Sequence, residues 1–152
     1  MEIETDPVVT LSRYFLWFVA MDEQFNKHLP EAVESKFFFD PAFTTSIMYL
    51  MNSRATLYVV IEGWKGLKLQ NADVARLIDS PMVDILRRVR NGAYHFQPKY
   101  FDERLTDFTS LGRPVIEWVS ALRGAFQAFF DTWYQTHDLE GRSVKPIPRL
   151  NL

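Results

Sequence analysis

The chain is expected to form an all-α fold, an up-and-down bundle of four main helices with one or two short ones. Two observations predict it. Apolar residues recur every three or four positions over long segments, the spacing of one helix face. The long segments also open on proline pairs, Asp6-Pro7, Asp40-Pro41, Ser80-Pro81 and Arg113-Pro114. An Asp or Ser side chain accepts from the free amides of a first turn, and proline has no N–H to leave unpaired there.

The first helix carries Leu11, Tyr14, Phe15, Phe18, Met21 and Phe25 at helical spacing from Val8 to Phe25, and Leu29-Pro30 is expected to end it. Glu31 to Phe39 is open between a buried turn and a helix end. The second helix starts at Asp40-Pro41 and runs to about Glu62, with Phe43, Ile47, Leu50, Met51, Leu57, Tyr58 and Ile61 in its pattern. Val59-Val60-Ile61 alone would suit a strand, but it closes a long helical pattern, so helix wins. Gly63 and Gly66 are expected to terminate it. Asn71 can cap a short helix over 72–78. Ser80-Pro81 opens a helix that Pro98 closes, because the residue before proline resists helical geometry. Lys99 to Ser110 reads as a polar connection anchored by Phe101, Leu105 and Phe108. The last helix runs from Arg113-Pro114 to about Thr136, with Ile116, Val119, Leu122, Phe126, Phe129 and Trp133 inward. Residues 1–137 form one helical domain on this reading, and 138–152, with Pro146 and Pro148, an extended tail.

Composition narrows the function classes. The 152 residues carry a net charge of -2, so nothing marks the whole chain as a nucleic-acid or membrane binder, and any nucleic-acid contact must be local. The absence of cysteine removes disulfides, thiol nucleophiles and Cys-based zinc sites, and suits a reducing cytoplasm. Glu2, Glu4 and Asp6 make the start unlike a signal peptide, and the apolar runs are too interrupted to span a membrane. A cytoplasmic protein with no membrane partner is expected. His28, His95 and His137 lie too far apart for zinc-like spacing, so no metal and no cofactor are expected. Aromatic residues are plentiful, at 15%, and fill a core or an oligomer interface.

The helix over 81–97 holds the strongest polar pattern. With about 100° per residue, Met82, Leu86, Val89, Ala93 and Phe96 fall on one stripe. Asp84, Arg88, Asn91 and His95 fall opposite, flanked by Arg87 and Tyr94. Asn91 and His95 are one turn apart, as are Arg90 and Tyr94, so each pair of side chains can meet. Such a helix buries one face in its own domain and offers the other to something else.

Arg90-Asn91-Gly92-Ala93-Tyr94-His95 resembles the signature of the HEPN superfamily: an arginine, commonly a polar residue next, and a histidine four to six positions on. Those domains are all-α, and many are metal-independent endoribonucleases. Glu62-Gly63-Trp64-Lys65 and His95-Phe96-Gln97-Pro98 also look like bacterial HEPN-like proteins, and the likeness covers roughly residues 1–137. The resemblance implies a homodimer whose motif helices, here 81–97, face each other across a shared cleft. It further implies RNA as substrate and a toxin–antitoxin or defence setting with an antitoxin or other protein partner. In HEPN toxins controlled by a nucleotidyltransferase, a tyrosine stands two positions after the histidine. Here that position is Gln97, with Tyr94 and Tyr100 misplaced, which argues against that control.

The residue chemistry fits RNA cleavage by its own 2′-hydroxyl. His95 can take or give a proton near neutral pH. Arg90 offers a planar fork of donors to phosphate oxygens. Asn91 can orient the imidazole or touch phosphate. Arg87 and Arg88 supply local positive charge, and Tyr94 a face for a base. The plainer reading is a surface helix whose Arg90 pairs with Asp84 or Glu103 and whose His95 packs under a loop. Glu62 then marks a solvated helix terminus, Asp102-Glu103 a loop cap, and His28 and His137 surface or capping positions. A non-catalytic RNA- or protein-binding module of the same family stands as the alternative to a nuclease.

Overall fold

The computed structural model describes residues 6–35 and 39–137. Among them are six helices and no strand: α1 (Pro7–Glu34), α2 (Pro41–Gly66), α3 (Ala72–Ile78), α4 (Met82–Tyr94), α5 (Glu103–Ser110) and α6 (Arg113–Thr136). Four are long and two short, which is the expected all-α bundle. The tail over 138–152, and Phe37 and Phe38, lie outside the described residues.

Local chemistry sets most helix starts. The Asp6 carboxylate accepts from the Val8 amide at 2.8 Å, and Asp40 from Ala42 at 2.8 Å. Asn71 accepts from the amides of Asp73 and Val74 at 3.0 and 3.1 Å. Each side chain occupies a donor that the first turn cannot satisfy internally.

Contacts between distant residues show the up-and-down arrangement. Gly63 near the end of α2 meets Leu11 near the start of α1, while Arg54 in mid-α2 meets Asp22 later in α1. Tyr94 at the end of α4 reaches Asn52, and Arg90 reaches Glu62 further along α2. Arg123 early in α6 reaches Asp22, and Tyr134 late in α6 reaches Ser12. All three pairs of helices therefore run antiparallel. The core between them is aromatic: Phe15 lies 5.3 Å from Phe130, and Trp64 lies 5.5 Å from Phe126 and 4.5 Å from Phe129 between ring centres. Such edge and tilted contacts join α1, α2 and α6. The Trp118 indole donates to the Leu77 carbonyl at 2.9 Å and ties α3 to α6.

Several expected boundaries move. Helix α1 continues through Pro30 to Glu34. Proline removes one helical hydrogen bond, but Asn26 and Pro30 are both exposed, so the released Asn26 carbonyl is left to water. Helix α2 ends at Gly66, whereas Gly63 lies inside it. A Cβ at Gly63 would stand 2.5 Å from Leu11 Cδ1, so glycine there lets α1 approach and does not stop the helix. Glu62 consequently lies inside the helix, one turn before its end. The connection over 99–110 contains α5, capped by Asp102, whose carboxylate accepts from Arg104 at 3.0 Å. Ile116 is 62% exposed; Val115 and Trp118 turn inward in its place.

Candidate functional site

Helix α4 carries the motif and ends earlier than Pro98 would require. Its last residue is Tyr94, and His95 is the cap, extended at φ -119 and ψ 130. Leu86 and Val89 are buried as expected, but Phe96 has left the helix and is 92% exposed. The predicted stripe therefore stops one residue short. Asn91 and His95 meet through the backbone, where the Asn91 carbonyl accepts from the His95 amide at 3.1 Å, and no side-chain bond between them is found.

Tertiary packing explains this early end. A Cβ at Gly92 would lie 2.9 Å from Leu105 Cδ2 and 3.0 Å from Arg104 Cβ, so α5 sits against the α4 backbone at that glycine. Arg88 and Asp107 link the same two helices at 2.5 Å. Gln97 then holds the exit turn: its amide nitrogen donates to the His95 carbonyl at 2.7 Å, and its oxygen accepts from Arg104 at 2.5 Å. Sequence reading missed Gly92 and this role of Gln97. A glycine in mid-helix, costing about 1 kcal/mol against alanine, was the available signal for the first.

The result is a groove of about 530 Å³ against α2 and α5, lined in part by Met51, Tyr94, His95, Phe96, Phe101 and Leu105. The His95 side chain is exposed there, and among the described residues its ring has no hydrogen bond or ion pair. Tyr94, Tyr100 and Phe101 are each more than half exposed, so the groove and its rim present aromatic faces around one imidazole.

Arg90 points elsewhere. Its guanidinium lies 5.4 Å above the Tyr58 ring centre and 3.5 Å from Glu62, and it does not line the groove. Its Nε has no hydrogen-bond partner among the described residues. The pairing with Glu62, on another helix, was not legible beside the nearer Asp84 and Glu103. Burial first, and then the Glu62 carboxylate, push the Tyr58 hydroxyl above its ordinary range, while Arg90 and Arg87 pull it back. Arg87 pairs with Asp84 at 2.7 Å, which raises its own pKa further. Arg87, Arg88 and Arg90 are thus all ion-paired within the chain, and Tyr94 donates to Asn52 at 3.1 Å. The motif residues lie on α4 and its C-cap, but the structure does not gather them into one cavity.

His28 of α1 stacks on Tyr49 of α2 at 5.6 Å, and His137, the C-cap of α6, stacks on Trp133 at 4.4 Å. Among the described residues no group of three His, Asp or Glu side chains is arranged to hold a metal ion. No described helix is long and apolar enough to cross a membrane. Comparison of the chain with family models, curated proteins and solved structures gives no match.

Proposed function

We propose that this chain is a HEPN-like, metal-independent endoribonuclease that acts in the cytoplasm as a homodimer through the 81–97 face. The reading rests on one observation above the others. His95 of the Arg-Asn-x3-His motif stands exposed in a groove walled by aromatic side chains. An imidazole in that position can take the proton from a ribose 2′-hydroxyl as the oxygen attacks the adjacent phosphate, or return one to the leaving oxygen. Exposed aromatic faces suit unpaired bases, which stack with little sequence preference.

Arg90 is the group for the phosphorane charge, and Asn91 supports the cap that holds His95. To reach phosphate, Arg90 must leave Glu62. The pair is 3.5 Å long, with 34% of the arginine and 47% of the glutamate side chain exposed. Pairs of that kind contribute only about 0–1 kcal/mol, so a phosphate with better geometry can displace the carboxylate. The exposed Tyr94, Phe96, Tyr100 and Phe101 line one groove, and exposed aromatic side chains gathered in this way support a second copy packing nearby. A toxin or defence effector restrained by an antitoxin is the setting that the family resemblance suggests.

The pairing of Arg87, Arg88 and Arg90 with carboxylates favours a second reading, a non-catalytic RNA- or protein-binding module. One experiment separates the two. Purified protein incubated with single-stranded RNA in EDTA should release fragments ending in 2′,3′-cyclic phosphate. His95→Ala should lower that rate about a hundredfold or more while leaving the fold intact. RNA retained without fragments would establish the binding module, and equal cleavage by His95→Ala would remove His95 from the chemistry.

A further inference from the structure

We infer that the groove at His95 is a binding site for a small aromatic acid, a planar ring system carrying one carboxylate. The inference is tested by binding alone and does not depend on the nuclease reading, although an occupant there lies against His95. The groove measures about 530 Å³, within the range of about 300–1,000 Å³ usual for small-molecule sites. Ile47 and Met51 of α2 and Leu105 of α5 give it an apolar lining, and Met51 is buried. Phe43, Tyr94, Phe96, Tyr100 and Phe101 add aromatic side chains.

Ring geometry favours a flat body. The Tyr100 and Phe101 rings stand 4.9 Å apart and at 84° to each other, an edge-to-face corner in the lining. A third ring can lie offset on one of them and turn its edge to the other, the two arrangements that aromatic pairs prefer. Such contacts add to what burial of the same area supplies, so a ring system binds here better than a saturated body of equal size.

Charge decides the head group. The lining holds two basic side chains, His95 and Lys99, and no carboxylate. Other cavities among the described residues differ. Asp22 lines the one between α1, α2, α5 and α6, and Asp79 and Asp84 line the cleft beside Tyr58. Lys99, like His95, is exposed and has no ion pair among the described residues, whereas Arg87, Arg88 and Arg90 are all paired. Most other polar side chains of the lining donate within the chain. Tyr94 donates to Asn52, Thr106 to the Asp102 carbonyl, Thr109 to the Thr106 carbonyl and Gln97 to the His95 carbonyl. An entering acceptor is therefore left the Lys99 ammonium and the His95 ring, which carries an N–H in either protonation state. Lys99 brings one charge, which a single carboxylate balances and an ammonium group would oppose.

Naphthalene-2-carboxylate and naphthalene-2-carboxamide test this, because they share rings and differ in charge at neutral pH. Each is titrated into the full chain and followed by amide chemical shifts. The carboxylate should give saturable shifts at Gly92, Ala93 and Leu105, with the carboxamide weaker by about fivefold. Added salt should narrow that difference, because the charges are exposed. Decahydronaphthalene-2-carboxylate, the saturated counterpart, should bind about threefold more weakly than the aromatic acid. Lys99→Glu, at an exposed position outside the helices, should reverse the order of the first two probes while the helical circular dichroism is kept. If that variant loses its fold, Lys99→Gln should bring the two probes together. Absence of saturable shifts with every probe overturns the site, and shifts centred away from α4 and α5 overturn the location. Equal or tighter binding of the carboxamide to the unmodified chain overturns the anionic head, and equal binding of the saturated acid overturns the aromatic body.

Discussion

Two charged clusters in this molecule use the same chemistry and do opposite work. Asp22, Glu23, Arg54 and Arg123 join α1, α2 and α6, with the Arg54 and Asp22 side chains only 6% and 11% exposed. Glu62 and Arg90 join α2 and α4 over the Tyr58 ring, at greater length and in partial contact with water. Burial separates their roles. In the first, removing one partner strands a charge where water cannot reach it, so the cluster locks helix positions. In the second, water takes the place of either partner at little cost, so the arginine is available to another anion.

The comparison is tested most severely by breaking the buried pair. Arg54→Leu should cost about 3–5 kcal/mol, read as a lower midpoint in urea unfolding. A loss below 1 kcal/mol would place Asp22 in water and erase the contrast. Next in size is the glycine that seats α5 beside the exposed cluster. Gly92→Val puts new atoms against Leu105 and Arg104 and should cost roughly 2 kcal/mol in the same measurement. An unchanged midpoint would show that α5 does not rest there and that the groove wall has another cause.

A smaller effect sharpens the exposed side. Glu62→Gln should change stability by less than about 1 kcal/mol, while it frees Arg90 and tightens RNA binding a few-fold in a filter or anisotropy titration. Weaker RNA binding would mean that Glu62 positions Arg90 for phosphate and does not withhold it. The smallest effect is at Tyr58, whose hydroxyl titrates above its ordinary value because burial and Glu62 disfavour the phenolate. A raised pKa favours the protonated folded form, so this contribution is complete below about pH 10 and is lost as pH rises through the folded value. Absorbance titration of the phenolate should show one late-titrating tyrosine, absent in Tyr58→Phe and shifted downward in Glu62→Gln.

Much of the helical framework was legible in order along the chain. Asp6, Asp40 and Asn71 cap the helices they were expected to cap, and the stripes of Phe15 and Phe18, Leu57 and Ile61, and Leu122 and Phe126 are buried. The candidate site was legible only as a set of residues on one helix. Extending that helix toward Pro98 put Phe96 in the core and the Asn91 and His95 side chains together. The chain instead leaves the helix at His95, where α5 lies on Gly92 and Gln97 bridges to Arg104. Pro30 erred the other way, because a proline on an exposed helix face leaves its unpaired carbonyl to water.

The sequence by itself determined the all-α class, the capped starts of α1, α2 and α3, and which faces are apolar. Those depend on bonds and periodicities within about four residues, where the chain is its own nearest neighbour. Only the tertiary structure decided that Arg90 meets Glu62 across 28 residues and that Arg123 meets Asp22 across 101. Charges of one sign offer many partners along a chain, and packing alone selects which carboxylate lies within reach and how much water remains around it.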